Sequence, residues 1–131
     1  MTMTGSAELH RTTDDTFTED VLRSDVPVLV EFTSDSCPPC RQLEPVLRSL
    51  ADDLRGRMRI VQVDVPTSPN TTRDHNVMAT PTMLLFQGGE PVRQLVGAQP
   101  KRRLMREVEP FVRAEGPEPG AGAGASAQPR P

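Results

Sequence analysis

Cys37 and Cys40 stand three positions apart around Pro38 and Pro39, and they are the only cysteines of a 131-residue chain. Thiols at this spacing can close a disulfide on each other, exchange it with another protein, or share a metal ion. An apolar run, Val26–Phe32, precedes them, and a segment of helical periodicity follows. A strand that delivers the pair to the start of a helix puts the first sulfur where the helix N-terminus favours negative charge. With Cys37 as N-cap, Pro38, Pro39 and Cys40 take the first three helical positions, where a missing amide proton leaves no acceptor wanting. The backbone N–H of Cys40 is then the nearest donor to the Cys37 sulfur. Donor and dipole together favour the thiolate, which is the attacking species in disulfide exchange. Two prolines in the loop also stiffen it, with an effect on reduction potential that the sequence does not fix.

Other uses of the pair have less support. A structural zinc site needs four ligands, commonly a second C-x-x-C or a paired histidine motif. The only histidines are His10 and His75, far apart in sequence and each read as a surface residue. Haem attachment requires His after the second cysteine, and position 41 is Arg. A permanent staple across so small a loop removes little chain entropy. No metal and no bound cofactor is expected.

Glu31 is the second residue with chemical potential. A carboxylate inside Val28–Phe32 is costly to bury unless it is paired or protonated. One reading leaves the strand exposed here and Glu31 hydrated. The other buries it with raised proton affinity, as an acceptor for the proton of Cys40.

Composition narrows the classes. The apolar fraction is 35%, with four Phe and neither Trp nor Tyr, so the core must rest on Leu, Val, Ile and Met. A net charge of −3 argues against a nucleic-acid binder, which would carry a basic excess. Lys101–Arg103 with Arg106 form the one basic run, read as the solvated face of a helix. No apolar stretch approaches the ~20 residues that span a bilayer. The first eight residues lack a cationic start followed by an apolar stretch, so no secretory leader is expected. The expected setting is the cytoplasm, where a cysteine pair is more often redox-active than a staple.

The elements around these residues follow from periodicity. Residues 1–7 are small and polar, and are expected to be flexible. Thr13, Asp14 and Asp15 offer capping oxygens to a short helix carrying Phe17, Val21 and Leu22. Val26–Thr33 reads as a strand covered on both faces. Leu43, Val46, Leu47, Leu50 and Leu54 mark a helix, with Gly56 suited to its C-terminal cap and Pro45 expected to kink it. Met58–Val65 is the next strand, and Asn70–His75 a short helix. Thr82–Gln87 and Pro91–Val96 flank Gly88-Gly89-Glu90 as a hairpin. Leu104, Val108, Phe111 and Val112 mark a final helix, with Pro110 at its frayed end. Residues 114–131, rich in Gly, Ala and Pro, are expected to be a disordered tail. The order of elements implies an α/β fold, a mixed sheet with helices on both faces.

Taken together, these residues resemble the thioredoxin family. Asp25–Phe32, Cys37–Cys40 with Pro45, Val63-Asp64, Thr80-Pro81-Thr82, Leu84–Phe86, Gly89, and Val96–Ala98 followed by Lys101 occur in the family's order across residues 8–113. The resemblance implies a thioredoxin fold with a mixed sheet of about five strands, and a thiol–disulfide oxidoreductase acting in cell redox homeostasis. Cys37 would be the exposed nucleophile and Cys40 the buried resolving thiol, in a loop with Ser36, Pro38 and Pro39. Pro81 would be a cis-proline beside them, with Thr80 offering backbone hydrogen bonds to an extended substrate and Gly97 on the docking surface. Glu31 falls where the family has a buried Asp. Partners would be protein disulfides and a flavin-dependent thioredoxin reductase using NADPH, with the protein acting as a monomer away from membranes and nucleic acids.

The chain departs from the pattern at four places. Ser36 and Thr33 replace the two loop tryptophans, and the rim of the docking surface is expected to be more polar. Glu31 replaces Asp, and Gln62 stands where the family has a lysine partner. Two other roles for the same fold remain open: an interaction module with incidental turnover, and a redox sensor that changes shape on oxidation.

Overall fold

A computed structural model describes residues 9–112. The expected flexible start (1–7) and tail (114–131) lie outside the described residues. Five strands form one mixed sheet: β1 (His10–Thr12), β2 (Val28–Thr33), β3 (Arg59–Asp64), β4 (Thr82–Gln87) and β5 (Glu90–Val96). Their spatial order is β1-β3-β2-β4-β5, with β2 central. β1 and β2 both run parallel to β3, while β4 runs antiparallel to β2 and β5. Central placement explains why all six residues of β2 are buried.

Alternation along β2 sorts its side chains onto two cores. Leu29 packs with Leu43, Leu47 and Leu50 of α1 (Pro38–Asp53) and with Leu104 and Val108 of α3 (Lys101–Val108). Val28, Val30 and Phe32 face the opposite layer, meeting Phe17, Val21, Val61, Val63 and Phe86. Each fully buried leucine contributes about 2 kcal/mol through apolar area removed from water. The expected sandwich of helices about a mixed sheet is therefore present.

Some local details follow the sequence reading and others differ from it. β1 was not anticipated: three residues with two exposed side chains carry no legible period. The segment Thr18–Leu22 winds as a π-type turn rather than a regular helix. Asp14 does not cap it. Its carboxylate instead accepts from the amides of Asn70 (3.2 Å) and Thr71 (2.8 Å) at the start of α2 (Pro69–Asp74). α1 continues through Pro45 and ends at Leu54, while Gly56 takes a positive φ of 83° in the turn where Arg57 N–H bonds Leu54 C=O. The hairpin loop is Gly88-Gly89, both with positive φ, as a two-residue turn of primed type demands. α3 stops before Pro110, which lies in a 3₁₀ turn, Glu109–Phe111.

His75 is likewise not a surface residue. It is partly buried, with its ring 5.3 Å from those of both Phe17 and Phe86. In the basic run, Lys101 is tied down, its Nζ meeting Ser49 Oγ at 2.7 Å and Asp53 Oδ2 at 2.6 Å. Arg102, Arg103 and Arg106 are exposed, as a solvated face requires.

Candidate active site

Strand β2 delivers the chain to the cysteines, and α1 begins on them. Cys37 is the N-cap, with φ −120° and ψ 97°, and Pro38, Pro39 and Cys40 are the first three residues of α1. The Cys40 N–H donates to Cys37 Sγ at 3.2 Å. Sixteen residues of aligned peptide dipoles stand behind that sulfur. The two cysteines are joined as a disulfide, with Cα atoms 5.2 Å apart. In this oxidised form Cys37 retains 6% of its surface and Cys40 2%, so both are buried and Cys37 is less exposed than the resemblance implied. Covalent pairing draws its sulfur in toward Cys40, while Ser36, Pro38 and Pro39 around it are exposed. The Ser36 amide donates to Ser34 Oγ (3.3 Å), and Arg41 Nη1 donates to the Asp35 carbonyl (2.9 Å), which ties the loop to the first turn of α1.

Register brings two further segments to the same end of the sheet. Phe32, near the exit of β2, pairs with Thr82 at the start of β4, and Thr82 pairs with Val96 at the end of β5. Thr80-Pro81 and Gly97 therefore lie where the cysteine loop leaves the sheet. The Thr80–Pro81 peptide is cis. The Gly97 amide donates to the Pro81 carbonyl at 2.8 Å. Among the described residues, the amide and carbonyl of Thr80 have no backbone partner.

Met78 (89% exposed) and Val96 (54%) are the large apolar side chains left open among the described residues. Both line a hollow with Ala79, Thr82 and the polar side chains of His75, Asn76 and Gln94. Neither stood out in sequence, because exposure of a Met or Val at a strand end has no local signature.

Glu31 is fully buried, which rules out the hydrated alternative. Parity along β2 sets it with Leu29, on the face covered by α1. It pairs in register with Gln62 of β3, which pairs in turn with Arg11 of β1. Gln62 Nε2 donates to Glu31 Oε1 at 2.8 Å, and Glu31 Oε2 has no partner among the described residues. Burial pushes the Glu31 carboxyl up to about 7. The Gln62 hydrogen bond opposes that rise, Glu44 adds to it, and Arg11 moderates it. Gln62 cannot offset charge, but Arg11 does so from one strand further away. Glu44 of α1 also meets Gln62 Nε2, at 3.4 Å. Sequence reasoning missed Glu44, although it follows Cys40 by four positions and so shares its side of the helix.

Among the described residues, no group of three or more His, Cys, Asp or Glu is placed to hold a metal ion. No described helix is long and apolar enough to cross a membrane.

A sequence model of the family described as Thioredoxin matches residues 8–110. Thioredoxin from Streptomyces clavuligerus is 44% identical over 98 residues, covering 75% of this chain and 91% of that one. Thioredoxin from Mycobacterium tuberculosis (strain ATCC 25618 / H37Rv) is 40% identical over 102 residues, covering 78% and 88%. The bifunctional thioredoxin reductase/thioredoxin of Mycobacterium leprae is 43% identical over 100 residues, which are 76% of this chain but 22% of that larger protein.

Proposed function

The chain belongs to the thioredoxin family, and on that premise we propose a dithiol–disulfide cycle with Cys37 as nucleophile, Cys40 as resolving thiol and Glu31 as proton acceptor. The protein is a thiol–disulfide oxidoreductase. One observation carries the assignment of roles: the Cys37 sulfur caps α1 and accepts the Cys40 N–H at 3.2 Å. A negative sulfur gains most from that donor and from the helix dipole, so Cys37 is the better attacking thiolate.

In the reductive direction, the Cys37 thiolate attacks a sulfur of the target disulfide. A Cys37–target bond forms, the target S–S bond breaks, and the first target sulfur leaves as thiolate. Cys40 then passes its proton to Glu31 and attacks Cys37 Sγ. The Cys37–Cys40 bond forms as the Cys37–target bond breaks, releasing the second target thiolate. Two electrons have moved from the dithiol to the target. Thr80 and Pro81 would hold an extended target segment, with Gly97 leaving room beside it. Ser36, Pro38 and Pro39 would form the contact surface around the nucleophile.

Thioredoxins act on protein disulfides and are reduced by thioredoxin reductase. For this chain we assign a flavin-dependent reductase drawing on NADPH. The Mycobacterium leprae relative, whose name joins reductase and thioredoxin in one protein, supports that pairing. Residues 8–113 form the working domain in this reading, as a cytoplasmic monomer that binds neither nucleic acid nor membrane.

Capture with Cys40→Ser tests the cycle. Targets should remain bonded to Cys37 and be released by reductant, and Cys37→Ser should capture none. The unsubstituted protein should reduce insulin disulfides when supplied with a thioredoxin reductase and NADPH. Absence of turnover, with Cys37→Ser still holding a partner, would instead identify an interaction module.

A further inference from the structure

We propose that Glu44 is a positioning residue for the resolution step: acting through Gln62 on Glu31, a partly exposed carboxylate one turn beyond Cys40 governs release of the Cys40 proton. The inference rests on the proton-acceptor role proposed for Glu31 and names what controls it.

The geometry is a bridge. Gln62 Nε2 donates to Glu31 Oε1 (2.8 Å) and to Glu44 Oε2 (3.4 Å), so one amide group serves two carboxylates. Only the NH₂ end of the amide can satisfy both, which fixes its orientation. The other oxygen of Glu44 meets Arg48 Nη2 at 3.5 Å, one turn further along α1. A third of the Glu44 side chain is exposed. Glu31 has no exposed surface, and one of its oxygens has no partner among the described residues. The triad therefore runs from solvent, through Gln62, to a carboxyl that cannot reach water directly.

The remaining charges around Glu31 are few. β1 contributes Arg11, held by Asp64 at 3.6 Å. α1 contributes Glu44, whose own partner is Arg48. β4 contributes Met83, which cannot titrate. Among the described residues, Glu44 is the one of these, besides Glu31, that hydrogen-bonds the Gln62 side chain. Its negative charge opposes ionisation of Glu31, and Arg48 partly cancels that opposition. Removing Glu44 or Arg48 should then move Glu31 in opposite directions, which a merely structural role would not do.

Stopped-flow reaction of the reduced protein with 5,5′-dithiobis(2-nitrobenzoate) resolves the two steps. The first thionitrobenzoate is released by Cys37, and the second by Cys40. The rate of the second release should rise with pH about a midpoint near that of Glu31, about 7. Glu44→Gln keeps an acceptor for Gln62 and removes the charge. It should lower the midpoint by about one pH unit, making ionised Glu31 roughly fivefold more abundant at pH 6. Arg48→Ala should raise the midpoint. ¹³C titration of the Glu31 carboxyl by NMR should show the same two shifts. If both variants keep the unsubstituted midpoint while Glu31→Gln abolishes the pH dependence, the Glu44 inference is overturned and the role of Glu31 stands. If Glu31→Gln leaves the profile unchanged, that role fails and this inference fails with it.

Discussion

The amide of Gly97 donates to the carbonyl of Pro81 across 2.8 Å, tying the end of β5 to the residue that enters β4. Gly97 holds a φ of +92°, and a Cβ built there meets nothing within 4 Å. Space is open, but the backbone conformation disfavours any L side chain. Gly97→Ala should therefore cost about 1–2 kcal/mol of stability. The added methyl would stand where a target segment is proposed to lie. KM for insulin should rise, while the reaction with 5,5′-dithiobis(2-nitrobenzoate) keeps its rate. Urea unfolding and the two assays together check this, and an unchanged KM for insulin would remove Gly97 from the docking surface.

Glu31 makes stability depend on pH. Burial holds its carboxyl at about 7 in the fold, against an ordinary value of 4.5. The folded state thus holds a proton that the unfolded chain has released, and stability falls as pH rises between those values. The contribution is fully present below about 4.5 and is lost by passage through about 7. The difference corresponds to about 3 kcal/mol. Urea titrations of the oxidised protein should show that decline from pH 5 to pH 8, and Glu31→Gln should flatten it. An equal decline in both proteins would place its origin elsewhere.

Asp14 works in the opposite sense. Hydrogen bonds from Thr71, through its hydroxyl and amide, and from the Asn70 amide hold its carboxyl below the usual carboxylate value, against a partial rise from burial. Its stabilising effect is present above the unfolded value of 3.8 and is lost as pH falls through the lower folded one. Asp14→Ala should lower the thermal midpoint at pH 7, and the two proteins should converge in acid. A gap that persists in acid would mean the cap is not the cause.

Legibility in the sequence followed the range of the interactions. The cysteine loop, the buried central strand and the hairpin were readable because each is declared by a few consecutive residues. Cys37-Pro38-Pro39-Cys40 carries its own capping logic, and Gly88-Gly89 its own turn. Glu31 announced itself by being a carboxylate in an apolar run. Its partner Gln62 was supplied by the family resemblance, but Glu44 was not readable, since it reaches Gln62 only through helix packing. The same holds for Asp14, whose caps lie 56 and 57 positions away, and for His75, set among Phe17 and Phe86 by tertiary contact. β1 left no mark because three residues are too few to define an alternation.

One margin of the sheet is shaped against unwanted company. β5 has Pro91 among its first residues, which lacks a ladder donor, and an irregularity opposite Leu85 and Phe86 that leaves Val92 out of step. Glu90 and Arg93 add charge to the same flank. A molecule that docks extended segments at Thr80, as proposed above, would invite self-polymerisation if β5 were equally receptive. Proline, bulge and charge together keep β5 from serving as a template for a second copy of the chain.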